Sequence, residues 1–115
     1  MREFFRIVHS ELPQDADFRS MGDLGIVCVS GRRYRECAEG ISVFDDLEHA
    51  CAVARKYRFQ RGRFVARLLI PEDGSVEFAK TFRDPHHFTI YYGSPKRILS
   101  LVEGAAVPIP DVPGG

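Results

Sequence analysis

The sequence predicts an α+β domain in which most strand pairing is antiparallel. The clearest observation is the segment 40–57, where a short alternating strand leads into a helix with a capping signal and an apolar stripe. A second observation is the strand-rich half of the chain that follows this helix. No repeat or linker divides the sequence, so we expect one domain over residues 1–109, with two to three helices, and a flexible tail over residues 110–115.

The composition is that of an ordinary globular protein, with 44% apolar and 28% charged residues in a chain of 115. Lysine plus arginine and aspartate plus glutamate number 16 each, so no overall field attracts nucleic acid or acidic lipid. The sequence shows no apolar run of signal-peptide length and no window that approaches a membrane helix. We therefore expect a cytoplasmic protein with no membrane partner, in which any site for a polyanion is local.

The cysteines predict neither a disulfide framework nor a metal site. Cys28, Cys37 and Cys51 are odd in number and contain no CxxC pair. We expect Cys28 and Cys51 to pack as small apolar side chains. His49 and Cys51 lie two residues apart on a predicted helix, so they cannot converge on one metal ion.

The first strand is predicted over residues 3–9, which are rich in aromatic and β-branched side chains. Strand alternation places Arg6 among large apolar neighbours, where a charged group needs an anionic partner. A short helix over residues 15–21 and a second strand over residues 26–30 follow. Residues 31–40 are typical of a polar loop.

The best-defined helix follows the short alternating strand. Asp45 is a suitable N-cap, and Glu48 three residues later completes a capping box. Apolar residues at helical spacing predict one buried face, formed by Leu47, Ala50, Cys51, Ala54 and Tyr57. In the preceding strand, Gly40 lets another part of the chain come close, and Ser42 points away from the apolar side.

The second half of the chain is predicted to be mainly strand. The expected elements are strands at 63–70, 76–82 and 88–92, a helix that begins after Ser94, and a last strand at 105–109. A proline and glycine turn at residues 71–74 favours a hairpin between the strands on either side of it. Pro108 places the last strand near a sheet edge, because proline cannot donate a ladder hydrogen bond.

Four sequence blocks resemble the ADP-ribosyltransferase-like superfamily, which includes small bacterial NAD-degrading toxins of the RES type. The blocks are FFRIVH, DFRS followed by DLG, GISVFDD and HFTIYYG, and the resemblance covers the chain from about Phe4 to Pro108. They also resemble a group of short, mostly uncharacterised bacterial proteins. The resemblance implies two mainly antiparallel sheets around a cleft that binds NAD. It also implies transfer of ADP-ribose or hydrolysis of NAD without a metal, with a protein acceptor or an antitoxin-like protein as partner.

The resemblance assigns roles to single residues of this sequence. Arg6 on the first strand matches the residue that contacts the diphosphate or ribose of NAD, and Ser42 matches the residue that supports its nicotinamide half. Glu77, on a later strand, is a better match than Glu103, in the last turn of a predicted helix, for stabilising the oxocarbenium-like ribose. Apart from the resemblance, His87 is a candidate general acid or base, because it directly precedes a strand that can fix its direction. The predicted site then contains Arg6, His9, Gly40 and Ser42 as NAD-binding residues and Glu77 and His87 as catalytic residues.

Each of these residues also has a purely structural interpretation. Arg6 can form an ion pair with a nearby carboxylate, one of Asp15, Asp17 and Asp23. Ser42 can cap the end of its strand or the start of the helix. Glu77 can be a solvated residue opposite a lysine or arginine on the neighbouring strand, and His87 can belong to an ordinary polar loop with its neighbour His86.

Two other function classes compete with the NAD-using enzyme. Basic residues interleave with aromatic residues in the segment RKYRFQRGR, residues 55–63, and again around Tyr34, a pattern typical of single-stranded nucleic-acid binding. The same arginines can instead form a solvated face at the end of the central helix. A protein-interaction domain without a small-molecule site is the third hypothesis.

Overall fold

The computed structural model describes residues 1–20, 28, 34–91 and 94–112. In chain order these residues form β1 (Arg2–Val8), a 3-10 helix (Asp15–Phe18), α1 (Tyr34–Glu39), β2 (Gly40–Phe44), α2 (Leu47–Lys56), β3 (Phe64–Ile70), β4 (Glu77–Lys80), β5 (His87–Tyr91), α3 (Pro95–Leu99) and β6 (Val107–Pro108). The α+β class is therefore confirmed. The strand predicted at residues 26–30 lies outside the described residues, except for Cys28.

The described strands form one antiparallel sheet of six strands in the order β4-β5-β2-β1-β3-β6. The expectation of two sheets around a cleft is wrong for this part of the chain, because β1 pairs with both β2 and β3 and joins the two halves. The pairings of β1 with its two neighbouring strands differ in length. β1 and β3 pair along their whole length, from Arg2 opposite Ile70 to Val8 opposite Phe64, whereas the β1–β2 ladder contains the pair Phe5 and Phe44.

The predicted hairpin between the strands at 63–70 and 76–82 is also wrong. β3 lies between β1 and β6, and β4 pairs with β5 at the opposite edge of the sheet. The side chains explain this order. β3 has buried residues on both of its faces, as an internal strand requires, whereas β4 is mostly exposed and tolerates an edge position.

Apolar side chains pack on both faces of the sheet. On one face, Phe18 of the 3-10 helix and Ile98 of α3 complete a core with Phe4, Leu68 and Ile90. On the other face, the buried residues of α2 pack against β1, β2 and β3, in a cluster that includes Ile7, Phe44, Ala50, Cys51, Ala54 and Val65. The predicted stripe of α2 is therefore confirmed for Leu47, Ala50, Cys51 and Ala54. It is wrong for Tyr57, which lies at the C-cap with 43% of its surface exposed. Cys51 is a buried free thiol.

Of the two helix N-caps that the sequence predicts, one is confirmed and the other is wrong. Ser94 caps α3 as predicted, with its hydroxyl accepting from the Arg97 amide at 3.3 Å. For α2 the N-cap is Asp46, which accepts from the His49 amide at 2.8 Å, and not Asp45. The helix begins one residue later than predicted, at Leu47, so Asp45 lies in the connection after β2 and its carboxylate contacts His86 instead.

Helix α1 lies in the segment that was predicted to be a polar loop. None of its residues is fully buried, so it has no apolar stripe that periodicity detects. Arg35 and Glu39 form an ion pair one turn apart, and Cys37 forms a disulfide with Cys28, whose Cα atom is 5.9 Å away. The disulfide corrects the expectation that Cys28 packs as a free apolar side chain. The sequence spacing of the two cysteines alone does not indicate this pairing.

No helix in the described ranges has both the length and the apolar character needed to cross a membrane. At the C-terminal end, two arginines contact the segment that was predicted as a tail. Arg55 donates to the Pro110 carbonyl oxygen at 3.1 Å, and Arg63 pairs with the Asp111 carboxylate at 3.3 Å.

We predict that Gly62→Ala lowers the free energy of unfolding by roughly 3 kcal/mol. Gly62 has a φ of +138°, and an added Cβ would overlap the Val8 carbonyl group, which belongs to β1 and cannot move cheaply. Gly74→Ala is the matched control, because Gly74 also has a positive φ, of +84°, but nothing lies within 4 Å of an added Cβ.

Urea denaturation of both variants measures the difference. We expect Gly74→Ala to cost about 1 kcal/mol, from backbone strain alone. Equal losses in the two variants would contradict the close approach of the segment around Gly62 to β1.

Candidate functional site

A cleft of about 960 Å³ lies beside α2, on the face of the sheet that this helix covers in part. Its volume is within the usual range of ligand sites, roughly 300–1,000 Å³. The cleft brings together five of the predicted site residues, namely Arg6, His9, Gly40, Ser42 and His87. Glu77 is not among its lining residues.

Arg6 lies where β1 and β2 separate beyond the pair Phe5 and Phe44. Its Nη1 donates to the Ser42 carbonyl oxygen at 2.8 Å, and its Nε donates to the Asp17 carbonyl oxygen at 3.1 Å. The carboxylate of Asp17 instead accepts from the amides of His9 and Gln14, at 3.1 and 2.9 Å. Neutral carbonyl groups therefore help to hold the guanidinium at the cleft. Asp23, another carboxylate predicted as its partner, lies outside the described residues.

His87 is 7% exposed at the start of β5, and its orientation is fixed by its neighbours. Its Nδ1 lies 2.9 Å from the hydroxyl of Thr81, which lies 2.7 Å from the hydroxyl of Thr89. The ring packs edge-on against Phe44 and also contacts Phe82, with centroid distances of 5.6 and 4.7 Å. The structure thus places a histidine with a defined direction at the wall of the cleft.

Two Asp–His pairs tie the β4–β5 loop to the start of α2. His49 Nε2 lies 2.6 Å from Asp84 Oδ2, and His86 Nδ1 lies 2.8 Å from Asp45 Oδ1. Burial acts to raise the pKa of Asp84, but hydrogen bonds from the His86 amide and the His49 ring lower it overall. Asp84 also lines the cleft, so these pairs fix one part of its wall.

Gly40 accommodates the close approach that its sequence context predicts. A Cβ at this position would overlap the Thr89 side chain and lie 3.1 Å from the Glu36 carbonyl oxygen. This contact seats α1 against the cleft, and Glu36 is among the lining residues. Glycine is therefore needed here for packing between elements.

Glu36, like Asp84, is a carboxylate of the cleft that the sequence did not identify as a site residue. Its Oε1 accepts from the Tyr91 hydroxyl at 3.0 Å, while its Oε2 is buried and has no hydrogen-bond partner among the described residues. Burial, together with the bond to Glu36, raises the pKa of Tyr91 to about 12, so this phenol stays protonated as a donor. A buried carboxylate oxygen without a donor costs stability until a donor arrives.

Glu77, the predicted catalytic carboxylate, is engaged elsewhere. Its side chain is 57% exposed on edge strand β4 and accepts from both terminal nitrogens of Arg35, at 2.9 and 2.6 Å. These hydrogen bonds lower its pKa. The same guanidinium lies over the Tyr91 ring, 3.9 Å from its centroid. The glutamate is therefore exposed and paired with a basic side chain, as the structural interpretation predicts, but this partner belongs to helix α1 and not to the neighbouring strand.

Among the described residues, the charged side chains that line the cleft are mainly basic. Its lining includes four permanent cations and two carboxylates, namely Arg6, Arg19, Lys56, Arg61, Glu36 and Asp84. This balance favours an anionic ligand, although the net charge of the whole chain is zero. Among the described residues, no group of three or more histidine, cysteine or carboxylate side chains is placed to hold a metal ion.

Comparison of the chain with protein-family models, with curated proteins and with solved structures gave no significant match. The resemblance to ADP-ribosyltransferase-like proteins therefore stays a prediction from the sequence.

We predict that the stabilisation provided by the Asp84 carboxylate disappears in acid. Because its pKa is lower in the folded than in the unfolded chain, its contribution is complete above the unfolded value of about 4 and is lost as the pH falls through the folded value. Asp84→Asn should therefore be less stable than the wild type at neutral pH, and the two should converge below about pH 4.

Urea denaturation at a series of pH values measures this difference. Asp111→Asn is the control, because Asp111 is exposed in the C-terminal segment and its ion pair should add little at any pH. A difference between Asp84→Asn and the wild type that stays constant into strong acid would contradict the role of the charged carboxylate.

Proposed function

We propose that this cleft binds NAD and that the domain transfers ADP-ribose from it or hydrolyses it. One observation carries the proposal: five of the six residues that the sequence predicted for this site line a single cleft of suitable size. These five residues come from three segments of the chain, around β1, in β2 and at the start of β5. That three segments distant in sequence contribute to one volume supports a common ligand.

The charges of the cleft suit a dinucleotide. A diphosphate is a doubly charged anion, and a guanidinium can donate two parallel hydrogen bonds to it. Arg6 is held in position by the carbonyl groups of Ser42 and Asp17, so its side chain would lose little conformational entropy when a phosphate binds. Arg19, Lys56 and Arg61 add positive charge around it.

The bond to be broken joins C1′ of the ribose to the nicotinamide nitrogen. As it breaks, nicotinamide leaves with the bonding electrons and the ribose develops positive charge, which a nearby carboxylate stabilises. We assign this role to Glu36, because it lines the cleft and Glu77 does not. Its Oε2, which has no partner among the described residues, is also suited to accept from a ribose hydroxyl.

The second half of the reaction needs a nucleophile and a base. Water or an acceptor group forms the new bond to C1′, and its proton must be removed. His87 lines the cleft in a fixed orientation and is the candidate base. A protein acceptor or an antitoxin-like partner would contact the domain at the mouth of this cleft.

The test is nicotinamide release from NAD by the purified protein, followed by NMR. We expect Glu36→Gln to lower kcat by at least about 100-fold while the protein still binds NAD, because the amide keeps the shape of the side chain but not its charge. Glu77→Gln is the matched control and should stay within about twofold of the wild type, since a solvated residue outside the cleft has little influence.

Equal losses in the two glutamine variants would contradict the assignment of Glu36. A wild-type protein that neither binds nor cleaves NAD at millimolar concentration would refute the proposed function.

A further inference from the structure

The basic and aromatic segment at residues 55–63 is divided by the fold into two sets of side chains. One set supports the structure: Arg55 donates to the Pro110 carbonyl oxygen, Arg63 pairs with Asp111, and Phe59 packs against the core beneath α2. The guanidinium of Arg63 also lies over the Phe59 ring, 4.2 Å from its centroid. The other set lines the cleft and consists of Lys56, Tyr57, Gln60 and Arg61.

The backbone after α2 holds the second set in place. Arg58 and Phe59 have left-handed conformations, with φ values of 55° and 61°. The Phe59 amide donates to the Ala54 carbonyl oxygen at 2.8 Å, and Gly62 lies directly against the Val8 backbone. This tight turn, which we call the 57–62 turn, is therefore fixed to the end of β1, and the side chains of Tyr57, Gln60 and Arg61 line the cleft.

We propose that the 57–62 turn is a binding platform for an adenine base. Tyr57 is 43% exposed, and the guanidinium of Arg61 lies over its ring at 4.6 Å from the centroid. Aromatic rings and guanidinium planes are the surfaces on which bases stack in proteins. The inference rests on the proposed function, because it concerns the adenosine half of the same ligand.

Gln60 supplies the means to distinguish adenine from other bases. Its amide offers one acceptor and two donors, which match the N6 amino group and the N7 atom of adenine. Guanine presents two acceptors, O6 and N7, at the same edge, so one of them would face the carbonyl oxygen of Gln60. Arg61, the side chain that would favour guanine, is stacked on Tyr57.

The positions of the cleft residues give the ligand a direction. The 57–62 turn lies on the α2 side of the cleft, while Glu36, His87 and Thr89 belong to α1 and β5 on the other side. Arg6 lies between the two sides, where β1 and β2 separate. A dinucleotide would therefore place adenine on the turn, its diphosphate near Arg6, and the nicotinamide ribose near Glu36 and His87.

Titrations with NAD, AMP, GMP and nicotinamide mononucleotide, followed by calorimetry or NMR, test the platform. We expect AMP to bind roughly tenfold more tightly than GMP, and Gln60→Ala to remove this preference. Tyr57→Ala should lower the affinity for AMP and NAD roughly tenfold and leave the affinity for nicotinamide mononucleotide unchanged. Tyr57→Phe should retain the affinity for all three, because it keeps the ring. Arg58→Ala is the control, because Arg58 lies in the same turn but does not line the cleft.

Several outcomes would overturn the inference. One is that Tyr57→Ala and Gln60→Ala, like Arg58→Ala, leave the affinity for NAD unchanged. Another is that a short single-stranded oligonucleotide binds more tightly than AMP, and that Arg58→Ala and Tyr57→Ala lower its affinity equally. The turn would then be a nucleic-acid surface. AMP binding that depends on Tyr57, without any binding of NAD, would support the platform and refute the proposed function, so the two failures are distinguishable.

Discussion

The hydrogen bonds of Arg6 are the interaction on which this structure depends most. Where the backbone ladder of β1 and β2 stops, the Arg6 side chain connects the strands by donating to the Ser42 carbonyl oxygen, and it joins the 3-10 helix through the Asp17 carbonyl oxygen. A half-buried guanidinium is tolerated because oxygen atoms replace its water.

The walls of the cleft then follow from how α1 and α2 attach to the sheet. Gly40 lets α1 approach β2 and β5, which brings Glu36 to the cleft. Gly62 lets the turn after α2 close against β1, which brings Tyr57 and Arg61 to the opposite side. Charged and aromatic groups from distant parts of the sequence thus surround one volume, as the binding of a dinucleotide would require.

Much of the local structure could be predicted from the sequence, because it depends on neighbouring residues. The buried stripe of α2 and the cap at Ser94 are examples. Strand order depends on pairing between distant segments, so the single sheet and the partner of β4 were missed. The same reason explains Glu77: its register opposite Tyr91 places it on the same face as His87, but β4 is an edge strand and Arg35 binds the carboxylate there.

The most direct test of this account is a titration of ¹⁵N-labelled protein with NAD, followed in two-dimensional NMR spectra. Binding in the cleft predicts saturable shifts of the amides of Ser42 and Thr89, together with those of the 57–62 turn. Shifts confined to exposed residues outside the cleft, such as Tyr34 and Arg35, or no shifts at millimolar NAD, would contradict the claim that this cleft is a dinucleotide site.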